Sequence, residues 1–179
     1  MSEPVFRWLT ADDMTAYGAL CAQVQADMVA KGIGSFIDFL TVPQCYTAAQ
    51  ERRIGSLWID NSLAATLITE PCDLGGRLNE RFTGEDLADF TGDAIYLRNG
   101  MVSPAFLGRG LYTTLMKTVA VNLDGHALVG TINADNIAPQ KSCMAAGLAP
   151  TGELIRKKDG VRSIVFYRPA IAISSQAVA

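Results

Sequence analysis

Histidine, paired cysteines and excess basic charge are all scarce in this 179-residue chain. His126 is the only histidine, and the four cysteines, Cys21, Cys45, Cys72 and Cys143, form no CxxC pair. A structural zinc site or a His-based metal centre therefore has almost no ligands to draw on, and no metal is expected. Irregular cysteine spacing in a chain of this size, without a signal sequence, predicts reduced thiols rather than a disulfide framework. No G-x-S-x-G elbow accompanies His126, which reads as an ordinary histidine at the edge of a strand. The string G-x-x-x-x-G-K-[ST] does not occur, which excludes a P-loop. A dinucleotide fingerprint starting at Gly108 would need a third glycine where Thr113 stands.

Charge excludes further classes. Fifteen Lys and Arg face eighteen Asp and Glu, a net charge of −3, so no general basic field exists to hold nucleic acid. No run reaches ~18 uninterrupted apolar residues, so no membrane span is expected. The opening "MSEPVFRWLTADDM" lacks the basic and apolar regions of a secretory signal, which predicts a cytoplasmic protein. What is abundant is apolar: 49% of residues are hydrophobic. That predicts one domain over residues 1–169. The tail from 170 to 179, "AIAISSQAVA", carries no charged side chain, and fraying and docking both stay open.

Patterning then gives an order of elements. Val5 to Leu9 alternates as a strand, and Thr10 can cap a helix with Asp12 and Asp13 in its first turn, running to about Ala30. A second helix is predicted around Pro43 to Arg53. Two strand-like runs flank Asp60-Asn61-Ser62, as in a hairpin, the second ending at Glu70. The polar stretch from Pro71 to Gly92 has room for a short helix near Glu85 to Phe90.

The strand "DAIYLRNGMV" should put Ile95, Leu97 and Met101 on one side and Tyr96, Arg98 and Val102 on the other, with Gly100 marking a bulge or a close backbone approach. The helix after Gly110 has rows Leu111, Leu115, Val119, Leu123 and Tyr112, Met116, Ala120. "HALVGTI" reads as a buried strand, Asn136 as the cap of a short helix stopped by Gly147, and "ELIRKKDGVRSIVFYR" as a hairpin turning at Asp159-Gly160. The fold class is α/β (α+β), a mixed sheet flanked by helices on both faces, with parallel pairing in the middle.

The informative stretch is "VSPAFLGRGLYTTL", from Val102 to Leu115. Glycines at a strand-to-helix junction leave backbone N–H groups uncovered at the positive end of a helix dipole, which suits phosphate. They equally suit a tight turn that needs φ > 0. On the feature alone the two readings are even.

Together with "NIAPQKSCMAAGL" (Asn136 to Leu148), it resembles the GNAT superfamily of N-acetyltransferases over roughly residues 4 to 168. That family shows a strand ending V-x-P, a turn Q/R-x-x-G-x-G/A, a helix, and later an Asn leading a short helix that contains a Tyr. The resemblance implies a centrally splayed sheet and acetyl-CoA as co-substrate. It implies pyrophosphate on the turn amides of Leu107, Gly108, Arg109, Gly110, Leu111 and Tyr112. The pantetheine arm would pair with Met101 and Val102, and Asn136 would reach the same arm. Lys141 reads as a solvated lysine that could also meet a CoA phosphate.

The implied reaction is direct attack of an amine on the thioester, with the backbone N–H near Val102 polarising the carbonyl. Three positions depart from the pattern: Leu107 replaces Q/R, Tyr112 replaces a small residue, and Cys143 stands where the Tyr that serves as general acid is usual. Cys143 is thus a candidate acid, with packing as the alternative. Glu70 is a candidate base, and Tyr96 and Arg98 on the strand leading to Gly100 read as structural or solvated groups. Phe36, Asp38, Phe39, Tyr46 and Tyr167 would surround the acceptor. The leading function is N-acyl transfer to a small-molecule amine. A non-catalytic CoA-binding module and a protein N-acetyltransferase are the alternatives, and a homodimer is allowed.

Overall fold

The structure, a computed structural model, describes residues 2–32, 40–84, 87 and 89–171. The first elements are β1 (Val5–Trp8), α1 (Met14–Ala30), α2 (Val42–Gln50), β2 (Ile54–Ile59), β3 (Ser62–Asp73), α3 (Leu74–Arg81) and β4 (Phe82–Thr83). They are followed by β5 (Asp93–Val102), α4 (Leu111–Asn122), β6 (Leu128–Asn133), α5 (Ile137–Ala145), β7 (Ala149–Arg156) and β8 (Arg162–Arg168). The chain forms two compact units, Met1–Glu70 with Leu97–Thr118 and Pro71–Tyr96 with Val119–Ala179. Strands β3 and β5 and helix α4 each contribute residues to both.

In the first unit neighbouring strands run β1-β2-β3-β5, and in the second β5-β6-β8-β7-β4. Pairing is mostly antiparallel: β1 with β2, β2 with β3, β6 with β8, β7 with β8, and β4 with β7. The fold is therefore α/β with strands and helices interleaved, as the patterning predicts.

The first unit starts from local chemistry. The Asp13 carboxylate accepts from the Thr10 N–H at 2.9 Å and the Thr10 hydroxyl at 3.0 Å, closing a box at the start of a 3-10 turn that leads into α1. Helix α1 then buries Met14, Tyr17, Leu20, Val24 and Met28, spaced three or four apart along one face. Thr41 and Gln44 repeat the box at α2, which buries Cys45, Ala48 and Ala49. These two helices share a core with Ile54, Leu63, Ile68 and Met101. Asp60 and Asn61 have φ of 48° and 62°, the left-handed pair that a tight hairpin requires. Residues 54–57 and 63–69 are buried without alternation, so both faces of β2 and β3 are covered. Strand β3 also passes Glu70 and Pro71 to reach Asp73, beyond the end read from the sequence.

In the second unit α3 is the element that the sequence reading missed. Asp73 accepts from the Gly76 N–H at 2.8 Å, and Leu74 and Leu78, one turn apart, are buried. Gly75 and Gly76 argue against a helix by propensity, yet a Cβ at Gly75 would lie 2.8 Å from the Phe90 carbonyl oxygen. Close approach outweighs propensity there. Of the helix expected at Glu85 to Phe90, residues 85, 86 and 88 lie outside the described residues. Arg168 at the end of β8 donates to the Ala120 carbonyl at 2.9 Å and to Asp124 at 3.2 Å, satisfying the last turn of α4. The Ile171 N–H donates to the Asp124 carbonyl, so the start of the tail is docked, while 172–179 lie outside the described residues.

Leu115 is fully buried in α4, whereas Val121 on the same helix is 68% exposed. Leu115→Ala should cost about 2–5 kcal/mol of unfolding free energy, and Val121→Ala no more than about 0.5. Urea melts of the two variants, followed by circular dichroism, check the contrast.

Candidate functional site

The site begins with a fault in strand β5. Among its non-glycine residues Asn99 alone has positive φ, 51°, and Gly100 does not. The left-handed residue of this strand is therefore Asn99. Met101 joins the core formed with Ile54, Ile68 and Ala48, and Arg98 lines a cleft bounded by the same Ile68 and Ala48.

Gly100 is needed for a different reason. A Cβ built there would collide with the Tyr112 ring, with Cζ only 2.6 Å away and two other ring-system atoms nearer still. The bulky residue at position 112 therefore lies on bare backbone of β5. It is half-buried, beside the row of Met116 and Ala120 expected for it, which is itself buried.

β5 leaves through Ser103, which is buried. Its N–H donates to the Ala64 carbonyl at 2.8 Å and its hydroxyl to Gln23 Oε1 at 3.3 Å. Sequence reading did not single out Ser103, because a serine before a proline carries no distinctive signal. A 3-10 turn over Pro104–Phe106 follows, and then the glycines. Gly108 and Gly110 have φ of 76° and 71°, and nothing lies within 4 Å of a Cβ placed on either. The turn thus has the conformational need for glycine and also open space before it. The Thr114 N–H donates to the Gly110 carbonyl at 3.0 Å, so the amides of Leu111 to Thr113 precede the helical ladder at its positive end. Arg109 is exposed, with its guanidinium 5.1 Å from the Phe106 ring centre, and Leu107 is half exposed. This arrangement is suited to an anion.

On the α2 side of the same unit is a cleft of about 250 Å³ lined by Leu40, Pro43, Gln44, Thr47, Ala48, Arg53, Ile68, Glu70 and Arg98. Arg98 Nη1 donates to Glu70 Oε2 at 3.0 Å across its polar end. Glu70, the candidate base, is therefore an ion-paired carboxylate on the cleft wall. Of the residues expected around an acceptor, Phe36, Asp38 and Phe39 lie outside the described residues. Tyr46 is 45% exposed and does not line the cleft, and Tyr167 belongs to the second unit. Arg53 is what sequence reading overlooked, because it ends a helical region and reads as solvated, while Arg98, which reads as structural or solvated, lines the cleft.

In the second unit Asn136 occupies the position before α5, but its side chain makes no capping hydrogen bond. Gln140 does the local work instead, donating to the carbonyls of Ala134 at 2.8 Å and Asn133 at 3.2 Å. Lys141 and His126 are exposed. Cys143 is 3% exposed, and burial pushes its thiol from 9.0 up to about 12. Tyr96 donates to or accepts from the Thr131 hydroxyl, which gives it a structural partner. Among the described residues no group of three or more His, Cys, Asp and Glu could hold a metal ion, and no helix is long and apolar enough to cross a membrane.

No family model matches the chain. No curated protein matches it either. Solved structures do. An acetyltransferase of the GNAT family from Streptococcus agalactiae superposes with a TM-score of 0.72 at 16% identity, covering 93% of this chain and 95% of that one. The ribosomal-protein-S18-alanine N-acetyltransferase from Escherichia coli gives 0.64 at 16% identity, over 99% and 100%. NAA60 from Arabidopsis thaliana, in complex with acetyl-CoA, gives 0.66 at 12% identity, over 93% and 99%. The chain has the GNAT acetyltransferase fold.

The seat of Tyr112 predicts a compensating pair. Gly100→Ala should destabilise the protein, and Gly100→Ala with Tyr112→Ala should be milder than the sum of the singles, in a urea double-mutant cycle. The thiols predict alkaline lability. Burial raises Cys143 and also Cys21 and Cys45. The folded state then keeps protons that the unfolded state releases, so stability falls as pH rises from about 9, by up to ~1.4 kcal/mol per pH unit for each group. Cys143→Ala should make that decline shallower in urea midpoints measured between about pH 7 and pH 11.

Proposed function

We propose that this chain is an acyl-CoA-dependent N-acyltransferase. It moves an acetyl group from acetyl-CoA, its co-substrate, to the primary amine of a small molecule. The observation that carries this reading is the Gly108–Gly110 turn. Two left-handed glycines face open space at the positive end of α4, soon after strand β5 with its left-handed Asn99, within a GNAT fold.

The amides from Leu107 to Tyr112 receive the pyrophosphate, with Arg109 adding a charge-assisted contact. The backbone of Met101 and Val102 receives the pantetheine arm, and the Val102 N–H polarises the thioester carbonyl. The amine nitrogen attacks the carbonyl carbon, the C–S bond breaks, and an N–H proton passes to Glu70 or to water.

Cys143 is not assigned the acid role. A thiol held up at about 12 is a weaker acid than an ordinary thiol near ~8.5, so giving its proton to a leaving thiolate is uphill. The buried thiol packs α5, and the thiolate takes its proton from solvent. The same observation favours the second reading, a module that binds CoA without turnover. An acceptor that is a polypeptide is kept as the third, since one structural neighbour is named for a ribosomal-protein alanine.

Acetyl-CoA at millimolar concentration should raise the melting temperature, and Gly110→Glu should abolish that rise. Gly110→Ala carries the same backbone strain without the charge, and should lose much less of it. No stabilisation of the wild type would overturn the co-substrate assignment. Free-thiol release with a panel of amines and short peptides separates the three readings, because stabilisation without amine-dependent release leaves only the binding module.

A further inference from the structure

We propose that the cleft beside α2 selects an acceptor amine that also carries a carboxylate, with Arg53 and Arg98 receiving it; this rests on the acyltransferase reading above. The argument is one of charge and size. Among the described residues two arginines and one carboxylate, Glu70, line the cleft. Arg53 pairs with Glu51 at 2.5 Å, but that carboxylate is 55% exposed and not part of the lining. The described lining therefore carries one more cation than carboxylate.

Both guanidinium groups are also short of acceptors. Their side chains are only 24% and 13% exposed, and the Nε of each is buried with no hydrogen-bond partner. An under-satisfied cation in a half-dry wall gains more from an anion than one in water does. A carboxylate in the cleft would bind the terminal Nη groups rather than the buried Nε, and the fork of an arginine fits it well.

The rest of the lining limits what carries the carboxylate. Leu40, Ala48 and Ile68 give it an apolar wall. A volume of about 250 Å³ lies below the range of roughly 300–1,000 Å³ usual for drug-sized ligands. That volume suits a molecule of amino-acid size.

The test uses titration calorimetry on the intact protein, with free L-amino acids and their carboxamides as probes. At least one free acid should bind tenfold or more tightly than its carboxamide. Arg53→Met should remove that preference, and Arg53→Lys should restore part of it. In turnover, Arg53→Met should raise KM for the acid at least tenfold with a smaller change in kcat. Should Arg53→Met fail to fold by circular dichroism, Arg98→Met and Arg98→Lys take its place.

Equal binding of acid and carboxamide, no binding by any acid, or a preference that survives in a folded methionine variant would overturn the proposal. Acetyl-CoA stabilisation and thiol release on the same samples separate the two claims. Turnover of uncharged amines without an acid preference sinks the carboxylate site and leaves the transferase. Acid binding without acetyl-CoA stabilisation does the reverse.

Discussion

The contact on which the first unit's site depends is the Tyr112 ring lying on the bare backbone of Gly100. A phenol ring needs a flat, empty seat, and only a residue without a Cβ supplies one. That seat fixes the first turn of α4 against the end of β5. The helix can then begin just after the Gly108–Gly110 turn, with its unladdered amides at a defined place. The two departures that looked separate in sequence, a glycine inside a strand and a tyrosine where a small residue is usual, are one packing solution.

The same strand carries a second constraint. Asn99 takes the left-handed conformation, which spares Gly100 that role. Met101 closes the core with residues of α1 and α2, while Arg98 lines the cleft that shares Ile68 and Ala48 with that core. Glu70, near the far end of β3, meets the arginine at 3.0 Å.

How much of this was legible depended on range. The boxes at Thr10 and Thr41, the Asp60-Asn61 turn and the spacing of Met14, Tyr17, Leu20 and Val24 are set by neighbours in sequence, and patterning found these elements. The order of strands and helices sufficed for the fold. What escaped was set by distant partners. Helix α3 carries two glycines that propensity counts against it, and only the approach of Phe90 explains one of them. Arg53 reads as a solvated cation until Ile68 and Arg98 are seen to enclose the same space. At Gly100 the close approach is what the structure shows, while the positive φ that glycine usually bears falls on the asparagine before it. Asn is among the few residues that tolerate this at small cost.

On the proposed reading the chemistry has two protons to place, and the environments of the candidate groups differ enough to rank them. An amine arriving as ammonium must lose one proton before attack, and a thiolate must gain one after the C–S bond breaks. Glu70 is a carboxylate on a cleft wall, partly open to solvent and paired with Arg98. Cys143 has neither property. It is a donor without exposure, and burial holds its thiol at about 12. A group that releases its proton only well above neutral pH cannot serve a leaving thiolate whose own thiol is more acidic. Solvent meets no such barrier, and an ordinary thiolate needs little help to depart near its own pKa. Replacing the usual tyrosine by a buried cysteine thus removes one placed acid without removing the reaction. It shifts the weight of catalysis onto what holds the thioester and the amine together: the glycine turn, the Val102 amide and the charged cleft.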